Sequence, residues 1–247
     1  MAVSITSIGL KMKNRIWAII PARSGSRGLK DKNIKILNKT PLIGHAIKFA
    51  LKTNIFDKVL LSTDSNVYAE IGKKQGAWIP FLRSEKASES TSMEEDIHID
   101  IHEKLKSMNI LAPDIIVWLR PTFPFRKIED LLNAINLLDS DTDSVRIVVE
   151  AESRIYTTKG EYLTPFPHLP QKSMIRRQDI PSAYSVYHTD IYWYKNIHKS
   201  EHFLGDKIKP YIVNKICRFD IDTIYDFEII ESLIKCNPYL LNDYIHG

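Results

Sequence analysis

Cysteine is nearly absent: Cys217 and Cys236 are the only two in 247 residues, and they form no CxxC pair. That excludes a disulfide framework and a thiolate zinc site, and it fits a reducing compartment, so a cytoplasmic location is expected. No apolar run approaches the roughly 18 residues that a membrane span needs. Residues 1–15 lack a proper apolar core and place their cations after the apolar residues, so they make a poor signal peptide and read as a loose extension before the first strand. Charge of one sign is also lacking. The chain carries 34 basic and 30 acidic residues, a net +4, too mild for a nucleic-acid partner but compatible with a local anion site. There is no GxxxxGK[ST] and no GxGxxG after a strand, so neither a Walker A loop nor a dinucleotide fingerprint is present. No internal repeat or low-complexity segment occurs. Composition is otherwise that of a globular protein, and the length suits one α/β domain with a modest insertion.

What the chain does have is a basic, small-residue loop. The apolar run 16–20 leads into Pro21-Ala22-Arg23-Ser24-Gly25-Ser26-Arg27-Gly28-Leu29-Lys30-Asp31-Lys32-Asn33. Glycines let a backbone turn its N–H groups toward an anion, arginine forks grip phosphate oxygens, and lysine adds a point charge. Four cations in this stretch, Arg23, Arg27, Lys30 and Lys32, make it a candidate phosphate site.

Apolar runs at 58–62, 114–119 and 145–150 read as further buried strands. Helical spacing marks segments from 41, from Ser65 as N-cap, over 93–108, from 128 to 138 and after Asp226. Strand and helix in alternation predict a parallel sheet with right-handed crossovers, whose sites lie beyond the carboxyl ends of the strands. Asp64 stands at such an end, either as a loop anchor or as a ligand. His98 and His102, spaced i, i+4, read as part of a solvated helix face rather than as a metal clip. Residues 216–219 read as a late strand running into Asp220-Ile221-Asp222. Alternation would then set both aspartates on one face, where their repulsion calls for a cation, and magnesium suits hard oxygen ligands. Residues 154–182, with several prolines and no helical period, read as an inserted lobe.

The loop from Pro21 to Asn33 resembles the N-terminal signature of the CMP-sugar synthetases, cytidylyltransferases that activate sialic acids and related nonulosonates. Its pattern is PAR-x-G-S-K/R-G-x-x-x-K-N, and Arg27 stands where lysine is commoner. The resemblance implies that Ala22, Arg23, Ser26, Arg27, Lys32 and Asn33 bind CTP. It implies the same for Arg83 and Ser92 in the hydroxyl-rich loop at 81–92, although Glu89 replaces the family's usual Asp. Arg120-Pro121-Thr122-Phe123-Pro124-Phe125-Arg126 is similar to the family's LQPTSPLR run, with Arg120 in place of a glutamine that reaches the sugar. Arg176-Arg177-Gln178 with Pro181 resembles its RRQ-x-x-P run, and Asp220-Ile221-Asp222 its DID.

These likenesses imply a three-layer α/β/α sandwich of the nucleotidyltransferase kind, mostly parallel, with a dimerisation lobe at about 154–182. They imply Lys32, Arg27 and Asp222 as catalytic, Asp220 and Asp222 as magnesium ligands, and Arg120, Thr122, Arg126, Arg177 and Gln178 as sugar-binding. The implied reaction transfers CMP from CTP to the anomeric hydroxyl of a 2-keto acid sugar in a homodimeric enzyme. Arg120 is expected to tune the choice of sugar, or else to pair with an acid such as Asp64 or Asp222. Alternatives are a cytidylyltransferase for Kdo or 8-amino-Kdo, an enzyme for a sugar phosphate, and a non-catalytic nucleotide-binding protein on the same scaffold. The sugar-phosphate loop GG-x-G-x-R is absent, and Kdo enzymes usually lack PTxPxR.

Overall fold

The computed structural model describes residues 14–26, 28–165 and 176–245. In chain order the elements are β1 (Ile16–Pro21), β2 (Ile36–Leu37), β3 (Thr40–Pro41), α1 (Leu42–Lys52), β4 (Lys58–Ser62), α2 (Asn66–Lys74) and α3 (Glu94–Ser107). There follow β5 (Ile115–Leu119), α4 (Ile128–Ile135), β6 (Ser144–Ala151), β7 (Tyr156–Lys159), β8 (Tyr162–Pro165), β9 (Ala183–Trp193), β10 (Ile208–Val213) and α5 (Ile224–Cys236).

β1 shows why the chain layers as it does. A strand covered on both faces needs apolar residues at every position rather than at alternate ones, and IWAII supplies them. Ile16, Ala18 and Ile20 join a core with Ile43 and Ile47 of α1 and Leu131 and Ile135 of α4. Trp17 and Ile19 point the other way and meet Ile97, Ile101 and Leu105 of α3, with Trp118 and Tyr192. Burying each such side chain is worth about 1.5–3 kcal/mol, so neither face can be left open. A third cluster lays Phe227, Ile230 and Ile234 of α5 against Leu42, Phe125 and Val149. The result is helices on both faces of one sheet.

The sheet has the order β10-β6-β9-β5-β1-β4. β1 pairs in parallel with β4 and β5, and β10 with β6, while β9 runs antiparallel to both its neighbours. Parallel register sets Pro21 opposite Ser62 and Ile19 opposite Trp118. The loops that leave β1, β4 and β5 therefore emerge side by side at one edge. β9 sets Asp190 opposite both Trp118 and Arg146.

Two expectations change. Residues Lys215–Arg218 form a 3-10 turn, not a strand, started by Asn214, whose side chain accepts from the Ile216 amide at 3.0 Å. Cys217 is the residue this turn buries. The Asp220–Asp222 run thus lies in the loop between that turn and α5. The face of α3 bearing His98 and His102 is only partly solvated. His98 is 1% exposed, its Nε2 sits 2.6 Å from the Tyr192 hydroxyl, and burial with the nearby Arg120 charge lowers its pKa to about 3. His102 Nδ1 sits 2.9 Å from the Tyr194 hydroxyl. Part of the segment expected to be an inserted lobe forms the hairpin β7–β8, where Tyr162 and Leu163 are exposed.

Candidate active site

A cleft of about 1020 Å³ opens at the sheet edge where β1, β4 and β5 end. One wall is the basic loop. Gly25 there has φ 69, a left-handed conformation natural to glycine. Asp64 ties the loop down: the Ser24 amide donates to Oδ1 at 2.7 Å and the Ser24 hydroxyl to Oδ2 at 2.6 Å. Asp64 is thus a loop anchor. Asn33 Nδ2 donates to the Arg23 carbonyl at 3.0 Å, closing the loop on itself. Arg23 Nη1 donates to the Glu89 carbonyl at 2.7 Å, which links this loop to the hydroxyl-rich one.

The loop before α5 closes the cleft from another side. Lys32 Nζ donates to Asp222 Oδ1 at 2.7 Å; the lysine side chain is 14% exposed and the aspartate 69%. Gly28 lets these loops come that close, because a Cβ there would stand 2.5 Å from the Asp222 carbonyl oxygen. Thr223 and Asp226 form a capping box at the start of α5, and hydrogen bonds from Thr223 and the Asp222 amide, outweighing desolvation, hold the Asp226 carboxyl below its usual range. Asp226 is therefore a helix cap. Asp220 is half-buried and its Oδ1 has no hydrogen-bond partner among the described residues. Burial raises its pKa, with the Thr122 hydrogen bond opposing and the Asp222 charge adding to the rise. A carboxylate oxygen left bare beside a second aspartate is a donor set that a hard divalent cation completes, so the residues fit magnesium. Among the described residues no group of three or more acidic, histidine or cysteine side chains gathers as a metal cage, so phosphate and water oxygens would supply the remaining ligands.

The far wall comes from β5, β6, β9 and α3. Glu94 Oε1 accepts from Arg120 Nη2 at 2.6 Å and Nε at 3.1 Å, and from Trp118 Nε1 at 3.0 Å. Arg120 Nη1 donates to Asp190 Oδ2 at 3.0 Å, and Arg146 Nε donates to Asp190 Oδ1 at 2.7 Å. Burial pulls the Arg120 pKa down, but Asp190 and Glu94 outweigh it and hold it above its ordinary value. Arg120 is therefore paired with acids, though with Glu94 and Asp190 rather than Asp64 or Asp222.

The cleft gathers Arg23, Ser26, Lys32, Asn33, Arg83, Ser92, Arg120, Thr122 and Asp222 from four separate stretches of chain. Arg83 is held rigid, donating to Ser62 Oγ at 3.1 Å and the Ser62 carbonyl at 2.8 Å; burial lowers its pKa to about 10. Ser92 Oγ donates to the Lys86 carbonyl at 2.5 Å. Ala22 is buried, and its amide continues the β1–β4 ladder to the Ser62 carbonyl at 2.9 Å.

Arg126 does not reach the cleft. It is 3% exposed, and burial lowers its pKa to about 9. Its Nη2 donates to the Arg120 carbonyl, so it shapes the proline loop from beneath. Gln178 lines a separate groove with Glu150 and Ser153. Arg27 and the Arg177 side chain lie outside what the structure describes.

Reading the sequence missed Glu94, Arg146 and Asp190. A signal was available for two of them: Arg146 and Asp190 are charges inside apolar strands, and a buried charge needs a partner.

The sequence pattern of the cytidylyltransferase family matches residues 17–246. Over 236 residues the chain is 33% identical to the CMP-N,N'-diacetyllegionaminic acid synthase of Legionella pneumophila, covering 92% of this chain and 99% of that protein. Over 225 residues it is 31% identical to an N-acylneuraminate cytidylyltransferase of Escherichia coli, covering 88% of this chain and 52% of that one, so it spans about half of that relative's length. The solved CMP:2-keto-3-deoxy-manno-octonic acid synthetase complexed with CTP superposes with a TM-score of 0.65 at 14% identity, covering 90% of this chain and 99% of that one. At that identity the likeness is one of fold.

Proposed function

The chain belongs to the cytidylyltransferase family, and from that premise we propose that it transfers CMP from CTP to the anomeric hydroxyl of a nonulosonate, a sialic acid-like 2-keto acid sugar. The anomeric oxygen attacks the α-phosphorus. The bond from that phosphorus to the bridging oxygen breaks, and pyrophosphate leaves with the electron pair. The hydroxyl proton passes to solvent or to a carboxylate at the site. Such a reaction asks the protein mainly to position reactants and neutralise charge.

One observation carries this reading: a single cleft joins the basic loop, Lys32 with Asp222, and the Arg120–Thr122 wall. Arg23, Ser26, Asn33 and Lys32 would receive the triphosphate, with Arg27 from the same loop. Arg83 and Ser92 would border the cytosine. Lys32 is already poised between Asp222 and the cleft, so a phosphate oxygen can share its donors without a large rearrangement. Asp220 and Asp222 would hold magnesium, which supplies charge neutralisation at the α-phosphate. Thr122 would line the sugar side, and Arg126 would act by holding the proline loop. The exposed Tyr162 and Leu163 of the β7–β8 hairpin suit burial against a second copy, and Arg177 and Gln178, from the same 154–182 segment, would then complete the sugar side in a homodimer. Two free cysteines, Cys236 exposed, suit the cytoplasm, and no described helix is long and apolar enough to cross a membrane.

The test is pyrophosphate release from CTP with magnesium and a panel of 2-keto acid sugars. Release that depends on an added nonulosonate supports the reading. Absence of release with every such sugar, or equal release without sugar, overturns it.

A further inference from the structure

The pairing of Arg120 with Glu94 changes what the far wall of the cleft can recognise. Glu94 is the first residue of α3, lines the cleft, and its side chain is 30% exposed. Oε1 alone takes the two Arg120 donors and the Trp118 donor. Oε2 accepts from none of the described residues. Behind it, Asp190 is 1% exposed and holds both Arg120 and Arg146. Among the described residues, two guanidiniums face two carboxylates, so these four side chains offer no net positive charge to a sugar's carboxylate. What it offers is a carboxylate oxygen, fixed in place and able only to accept.

We propose that Glu94, through Oε2, selects the sugar by accepting a hydrogen bond from a hydroxyl or N–H donor of the substrate, and that Arg120 and Trp118 are positioning residues that hold it. The inference rests on the cytidylyltransferase reading above and replaces the expectation that Arg120 itself touches the sugar. A glutamine at position 120 would have brought its own acceptor to the wall; here arginine, which has none, positions the acceptor of another residue. Hydrogen bonds to a charged acceptor are roughly twice as strong as neutral ones. A site built to accept discriminates against an analogue without the donor, because the acceptor is then left unpaired.

Glu94→Gln tests this sharply. The Trp118 and Arg120 donors demand the amide oxygen at the Oε1 place, which turns the NH₂ group toward the cleft. An acceptor becomes a donor where the substrate presents its own donor, while the packing volume is kept. Steady-state kinetics would use CTP, magnesium, N-acetylneuraminic acid and N,N'-diacetyllegionaminic acid, with the wild type, Glu94→Gln, Arg120→Lys and the double variant. Glu94→Gln is expected to raise the KM of the better sugar about tenfold while the KM for CTP stays within about twofold. Arg120→Lys keeps the charge but loses the fork, and is expected to raise the same KM; the double variant should be no worse than the poorer single one, since both act through one carboxylate. Glu94→Asp, which retracts the carboxylate, should show the same KM rise and serves if the glutamine variant folds poorly. With an active wild type, an unchanged sugar KM in both Glu94 variants overturns the proposal. Additive effects of Glu94→Gln and Arg120→Lys also overturn it, because Arg120 would then contact the sugar independently. A wild type inactive with every keto acid sugar overturns the underlying reading and this inference together.

Discussion

Asp190→Asn perturbs the electrostatic centre of the far wall. The carboxylate is 1% exposed and joins two arginines whose side chains are 13% and 18% exposed. Its Oδ1 accepts from Arg146 Nε at 2.7 Å, and its Oδ2 accepts from Arg120 Nη1 at 3.0 Å and Arg146 Nη2 at 3.4 Å. Breaking a buried pair by removing one charge costs about 3–5 kcal/mol, because the partner charge stays behind uncompensated. Here three facts argue for the lower end. Arg120 keeps its pair with Glu94, the asparagine oxygen still accepts from one guanidinium, and both arginines keep some access to water at the cleft. A loss of about 3 kcal/mol corresponds to a fall in Tm of roughly 6–12 °C for a chain of this size. Thermal unfolding followed by circular dichroism reads this directly. Adding Arg146→Gln to Asp190→Asn should recover part of the loss, since one of the two cations that shared the carboxylate is then gone. A fall below about 2 °C for Asp190→Asn, or strictly additive effects in the double variant, would refute the claim that this carboxylate is a shared counter-ion.

Lys32→Ala should fold normally and lose most turnover with CTP, because a hydrogen bond to a charged group is worth about 1.5–3 kcal/mol and more if it tightens in the transition state; turnover within about twofold of the parent would contradict the role given to it. Asp222→Asn should weaken magnesium binding measured by calorimetry in the presence of CTP, and raise the magnesium concentration needed for half-maximal rate; identical titrations would make the aspartate structural only. Acid should unfold the protein early through its buried histidines. Burial, aided by Arg120 for His98 and by Arg126 for His188, lowers both pKa values from 6.5 to about 3. The unfolded chain then binds more protons than the folded one below 6.5, so the stability they contribute is whole above that pH and is lost progressively toward pH 3. Each should cost about 2 kcal/mol by pH 5, and equal denaturant midpoints at pH 7 and pH 5 would contradict this.

Much of the molecule was legible because its signals are local. IWAII in β1 and KVLLS in β4 have no polar residue that could face water at mid-strand, so burial on both faces and a parallel sheet follow. The glycines and cations of the first loop mark an anion site whatever lies around them. Other features depend on neighbours far away in sequence. ICRF looks like a strand by residue type, but Asn214 caps a turn there and Cys217 packs inward. Arg126 has the composition of a ligand-binding residue, yet the proline loop directs it into the interior beneath Arg120. Glu94 sits among other acids at a helix start, where the dipole alone would account for it. Only the register of β5 and β9, which sets Asp190 opposite Trp118, reveals that Arg120 is neutralised and Glu94 is clamped.

A cleft that joins CMP to the anomeric oxygen of a 2-keto acid sugar forms a phosphodiester to the anomeric carbon. The most direct measurement is the phosphorus spectrum of the product made from CTP and a nonulosonate labelled with carbon-13 at its anomeric carbon. One phosphodiester resonance, split by coupling to that carbon, is expected in equal amount with pyrophosphate. Pyrophosphate accompanied by free CMP, or a CMP adduct whose phosphorus shows no coupling to the labelled carbon, would contradict it.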